Sequence, residues 1–137
     1  MKQFLIATIA IGVAANLLDG IIHGIFLEST YAAIPSMGAM DTGKAGWFIF
    51  GDFVAALVFT WFYGRVHSSF DQNPNGAVLY GIYFGIIVAI PTFMFNALQF
   101  KGFPYWLSWV WTIVLVVEFA IYGAILGALT KKKTATA

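Results

Sequence analysis

The chain has 137 residues, of which 61% are hydrophobic, 18% aromatic and only 9% charged, with a net charge of +1. A soluble domain carries roughly 25% charged residues, so a soluble fold would leave large apolar surfaces bare. So small a charge, with no basic patch, excludes nucleic acid as a partner, and zero cysteines exclude disulfides, thiolate metal sites and cysteine nucleophiles.

Runs of about 20 apolar residues match the roughly 30 Å hydrocarbon layer of a bilayer. Four transmembrane helices are expected, at about 4–27, 46–64, 76–100 and 105–129. The fold class is therefore all-α, an integral membrane four-helix bundle in a single domain over 1–130, with a basic disordered tail over 131–137. Met-Lys-Gln before an apolar run, with Val13-Ala14-Ala15 behind it, looks like a secretory signal. The apolar character continues to Leu27, however, so a retained span is expected.

The connection 28–45 is the one long loop, with apolar stretches Ala32-Ala-Ile-Pro35 and Met37-Gly-Ala-Met40 that suit a spacer in the headgroup region or a binding loop. Segment 65–75 is polar, and Asn73-Pro74-Asn75-Gly76 and Gly102-Phe-Pro104 read as breakers. Lys2, Arg65 and Lys131-Lys132-Lys133 fall on one side of the membrane, and Lys44 and Lys101 on the other. Five against two predicts both termini inside the cytoplasm. Trp47, Trp106 and Trp109 then form the outer aromatic belt, and Trp61, Tyr63 and Tyr80 the inner one.

Three spans carry small residues one turn apart, Gly20/Gly24, Gly81/Gly85 and Gly123/Gly127. Such pairs let helix backbones approach closely in lipid. Packing within the bundle is the simpler expectation, and homodimerisation the alternative.

The chemistry lies in the acids. Glu28, Asp41 and Asp71 are in loops, whereas Asp19, Asp52 and Glu118 are inside spans one, two and four, and no lysine or arginine lies within the apolar part of any span. A carboxylate in hydrocarbon costs roughly 2.5 kcal/mol or more and is functional by default. Asn16, Asp19 and His23 stand at i, i+3 and i+7, on one helical face. At about 1.5 Å per residue, Asp19 lies roughly 12 Å below the outer end of its span, Asp52 about 9 Å, and His23 and Asn96 about 6 Å. Glu118 comes out near the midplane, so a funnel opening outward and ending there is expected. Pro91, with Thr92 and Asn96 after it, frees a backbone carbonyl for a cavity.

Three resolutions suit acids without cationic partners: a proton, a shared cation or metal, or separate bonds such as Asp19 with His23 and Glu118 with Tyr122. Asp19, His23, Asp52 and Glu118 offer oxygens and one imidazole, a set that suits a mononuclear divalent metal. The dinuclear bundle pattern requires Glu-x-x-His, which is absent. A lone histidine beside an aspartate is its hydrogen-bond partner before it is a haem or pigment ligand. No hydrolase motif or phosphate-cradling loop appears, so enzyme activity has no support beyond Asp19 and His23 as an acid–base pair.

The hairpin from Gly81-Ile-Tyr-Phe-Gly85 through Tyr122-Gly-Ala-Ile-Leu-Gly-Ala-Leu129, with Asp19-Gly20 and His23-Gly24 as a break in the first span, resembles an uncharacterised family of small four-span bacterial membrane proteins. The resemblance implies a prokaryotic cytoplasmic membrane and carries no activity with it. The expected function is an acidic intramembrane pocket in the outer half that binds a proton, cation or small polar ligand. Its ligands would be Asp19, Asp52, Glu118, His23, Asn96 and Asn16. The alternatives are an accessory subunit of a larger membrane complex, its acids paired with a partner's arginines, and a metal-dependent membrane enzyme.

Overall fold

The structure is a computed structural model and describes residues 2–35, 45–71, 73–99 and 101–130. Among these every regular element is helical: α1 (Lys2–Ile21), a π turn (Ile22–Phe26), α2 (Glu28–Ala32), α3 (Ala45–Val66), a 3-10 turn (His67–Ser69), α4 (Pro74–Phe93), α5 (Asn96–Gln99) and α6 (Tyr105–Thr130). Four helical stretches, Lys2–Phe26, Gly46–Ser69, Pro74–Gln99 and Tyr105–Thr130, are long and apolar enough to cross a membrane. Their outward faces fit that solvent. Leu5, Ile9, Val13 and Leu17 on α1, and Trp109, Ile113, Val117 and Ile121 on α6, are exposed at four-residue spacing.

The boundaries depart from the sequence expectation where local chemistry intervenes. Asn73-Pro74 does not delay the third span but starts it: the Asn73 side chain accepts from the Gly76 N–H at 3.1 Å and Pro74 takes the first helical turn. Proline there gives up an N–H that has no helical partner in any case. That span ends its first helix at Phe93 and resumes as α5. The long connection after the first span is helical over Glu28–Ala32. Met37–Met40, Asp41, Lys44 and the tail 131–137 lie outside the described residues. At the α5–α6 turn Gly102 takes φ +84°, a conformation that favours glycine.

Helices α4 and α6 pack antiparallel through two of the predicted glycine pairs, which face each other's backbones. A Cβ at Gly81 would stand 2.1 Å from the Phe119 carbonyl oxygen, and one at Gly123 2.3 Å from that of Ala77. At Gly85 it would stand 2.9 Å from the Val116 Cα. By contrast, Gly20 and Gly24 have nothing within 4 Å of a Cβ. Two pairs are therefore packing glycines within the bundle, and the third faces outward.

Helix α1 bridges this pair to α3. Gly12 lies under the Phe53 ring, with no room for a Cβ, since one would meet it at 2.3 Å. Of the described α3 side chains only Ala56, Phe59 and Thr60 are buried. Phe59 is fully buried, with ring centroids 4.8 Å from Tyr80 and 5.3 Å from both Phe84 and Phe119. The Tyr80 hydroxyl donates to the Phe59 carbonyl at 2.7 Å. Tyr80→Phe is expected to keep the ring packing and lose about 1 kcal/mol, read as a lower unfolding midpoint in matched detergent. An unchanged midpoint would show that this bond contributes nothing.

Candidate functional site

Each of three helices delivers one acid to the same place. Asp19 comes from the last turns of α1, Asp52 from the second turn of α3, and Glu118 from the middle of the 26-residue α6. All three line one cavity of about 60 Å³. Asp19, Asp52 and Glu118 thus face a common space from three different helices. Ala15 and Ala56 leave the space, and Phe59, Phe119 and Tyr122 wall it.

The three environments differ. Glu118 is 2% exposed, and its Oε1 has no hydrogen-bond partner. Asp52 is half-buried, whereas the Asp19 side chain is 41% exposed at the rim. Among the described residues the cationic side chains are Lys2 and Arg65 at helix ends and Lys101 in the turn before α6. Arg65 lies over the Trp61 ring at 5.1 Å. The contact that Asp19 makes with a basic group is with His23, Nε2 to Oδ1 at 3.8 Å.

The other sequence-predicted ligands go elsewhere. His23 touches Asp19 but does not line the cavity; its Nδ1 is hydrogen-bonded to the Tyr31 hydroxyl. The Asn16 amide donates to the Gly12 carbonyl of its own helix at 2.9 Å, and Asn96, at the start of α5, is not among the lining residues. Pro91 is exposed, and the Thr92 hydroxyl turns back to the Val88 carbonyl at 2.6 Å. The expected funnel therefore contracts to three carboxyls, with His23 attached at one side. Among the described residues no group of three or more His, Asp or Glu side chains is arranged to hold a metal ion.

Two residues that sequence reasoning did not single out belong to the surroundings. The Trp111 indole N–H donates to the Tyr31 hydroxyl at 2.9 Å. Trp111 stands seven residues before Glu118, two turns along the same face, and that spacing was the available signal. For Tyr31 there was none. Comparison with protein-family models, curated proteins and solved structures returns no match to the chain.

What such a site can do follows from its composition. Two carboxylates in contact repel unless a proton or cation lies between them. Room for roughly two to four waters is far below the about 300–1,000 Å³ of pockets that take drug-sized molecules. A bulky ligand does not fit.

Proposed function

We propose that this is a four-span protein of a prokaryotic cytoplasmic membrane, with both termini on the cytoplasmic side. Its bundle holds a carboxyl site for a proton or small cation. The observation that carries the reading is Glu118 Oε1, a buried acceptor without a partner, at a cavity shared with two more acids. An unpaired buried carboxyl costs about 1–3 kcal/mol, a cost that a bound proton or cation offsets. No hydrolytic or group-transfer motif accompanies the site, so binding or transport is favoured over catalysis.

The test is infrared spectroscopy of the full chain in lipid nanodiscs, across pH and with Na⁺ or K⁺ added. A carboxyl C=O band that responds to pH or cation, and is lost in Glu118→Gln and Asp19→Asn, is the expected result. A spectrum insensitive to both would sink the reading.

The exposed rim position of Asp19 supports a second reading, in which the acids face an arginine of a partner subunit. Mass measurement after gentle solubilisation separates the two. A stoichiometric larger partner favours the subunit, and a lone chain that retains the band favours the site.

A further inference from the structure

We propose that Tyr31 and His23, aligned by Trp111, form a hydrogen-bonded relay through which the carboxyl site exchanges protons with water at the α2 end of the bundle. The proposal rests on the proton-binding reading above and adds the route by which the proton arrives.

The donors and acceptors fix the direction. An indole N–H can only donate, so Tyr31 Oη accepts from Trp111 Nε1 at 2.9 Å. The same oxygen is in contact with His23 Nδ1. On its other side, His23 presents Nε2 to Asp19 Oδ1. A carboxylate only accepts, and a neutral imidazole carries one N–H, so this hydrogen is assigned to Nε2. Nδ1 is then left to accept from the Tyr31 O–H. Burial holds the Tyr31 hydroxyl above the ordinary tyrosine range, so it keeps its proton at neutral pH and remains a donor. Its second lone pair is free for water, and Tyr31 is half-buried and lies beyond the span Lys2–Phe26, whereas the exposed part of Asp19 lies within that span, where the proposed membrane presents hydrocarbon and not water.

The backbone is shaped for this meeting. Residues eight apart in a continuous α-helix stand about 12 Å apart along the axis, out of reach of one another. Here the chain passes through the π turn Ile22–Phe26, closed by Leu27 N–H to the Ile22 carbonyl at 2.9 Å, and restarts as α2. Tyr31 is thereby folded back over His23, the rings stacked 13° from parallel with centroids 5.9 Å apart. π turns inside helices occur frequently at functional sites. Trp111 stands edge-on to both rings and is itself held by Phe93 at 5.4 Å and Phe103 at 5.2 Å.

The groups facing the relay are few. Asp19 from α1 faces His23, and Tyr31 from α2 faces it opposite. The group that α6 contributes to it is Trp111, which does not titrate. Asp19 shares the cavity lining with Asp52 from α3 and with Glu118 and Tyr122 from α6.

The transfer balances. A proton from water bonds to Tyr31 Oη as the hydroxyl's own proton passes to His23 Nδ1. The Nε2 proton passes to Asp19 Oδ1, across one bridging water or after closure of the 3.8 Å gap. One proton moves inward, the imidazole changes tautomer, and nothing is oxidised or reduced. Rotation of the ring and hydroxyl resets the path.

The experiment is time-resolved infrared after an external pH jump, on the full chain in lipid vesicles. Tyr31→Phe is expected to leave the final carboxyl amplitude unchanged and slow its rise about a hundredfold. His23→Ala is expected to slow it similarly, with added imidazole restoring the rate, an effect that a merely structural role would not produce. This second arm also serves if Tyr31→Phe does not fold. A wild-type rate in either variant overturns the relay while leaving the carboxyl site standing. Absence of any responsive carboxyl band in the wild type overturns the site, and the relay with it.

Discussion

Replacing Glu118 by methionine is expected to yield a protein that is harder to unfold and has lost its acid site. Glu118 is 2% exposed, with one carboxyl oxygen that no donor meets. Leu115, Phe119 and Phe59, which line the same cavity, would pack against a thioether as readily as against a carboxyl's methylenes. Removing an unsatisfied buried polar group restores about 1–3 kcal/mol, and swaps of buried ionic groups for apolar ones of similar volume behave the same way. The unfolding midpoint in matched detergent should therefore rise while the pH- or cation-dependent infrared band disappears. Glu118→Gln, which keeps shape and polarity, should lose the band without that gain. A Glu118→Met protein less stable than wild type would mean that the acid supports the fold, and would remove the reason for assigning it a task.

Gly123→Leu is expected to disassemble the bundle. Its Cβ would stand 2.3 Å from the Ala77 carbonyl oxygen and 3.0 Å from its carbon, and both are backbone atoms that no rotamer change can move. The helices must separate, at the upper end of the about 1–3 kcal/mol for overpacking or beyond it. In lipid the association of helices depends on that close packing. Gly81→Leu meets the Phe119 carbonyl in the same way, whereas a Cβ at Gly20 has nothing within 4 Å. Yield of monodisperse protein and unfolding midpoint should collapse for the first two and hold for the third. A Gly123→Leu protein as stable as wild type would refute the glycine seam.

The four apolar stretches were legible because a chain that is 61% hydrophobic and 9% charged carries apolar runs of about the length that crosses a bilayer. The acids were legible as an imbalance, since three carboxylates without cations need no coordinates to be noticed. Their meeting was not, because helix order and rotation decide which faces touch, and depth along a helix says nothing of azimuth. Asn16 is on the same face as Asp19 yet satisfies itself on the Gly12 carbonyl, a local bond that periodicity cannot distinguish from a ligand's reach. His23 and Asp19 are neighbours as the i, i+4 spacing required. Tyr31 became a neighbour only through a π turn that sequence rules do not anticipate. Asn73-Pro74 shows the opposite failure: the same residues that break a helix when they follow it begin one when they precede it.

The thin cover of α3 bears on how the chain is made. Of the four spans it is the least apolar, and it carries Asp52. A helix of that composition partitions into lipid with the smallest margin, since its mean hydropathy of 1.5 is below the 2.0–2.2 of the other three. Its neighbour α1 precedes it in synthesis, but α6, which completes its acid-bearing side, is translated last. Until then α3 has α1, through the seam of Phe53 over Gly12, and later α4, through Phe59 against Tyr80 and Phe84. On the proposed membrane reading, damage to that seam would act while the chain is being inserted, as an error of topology, before folded stability has any meaning.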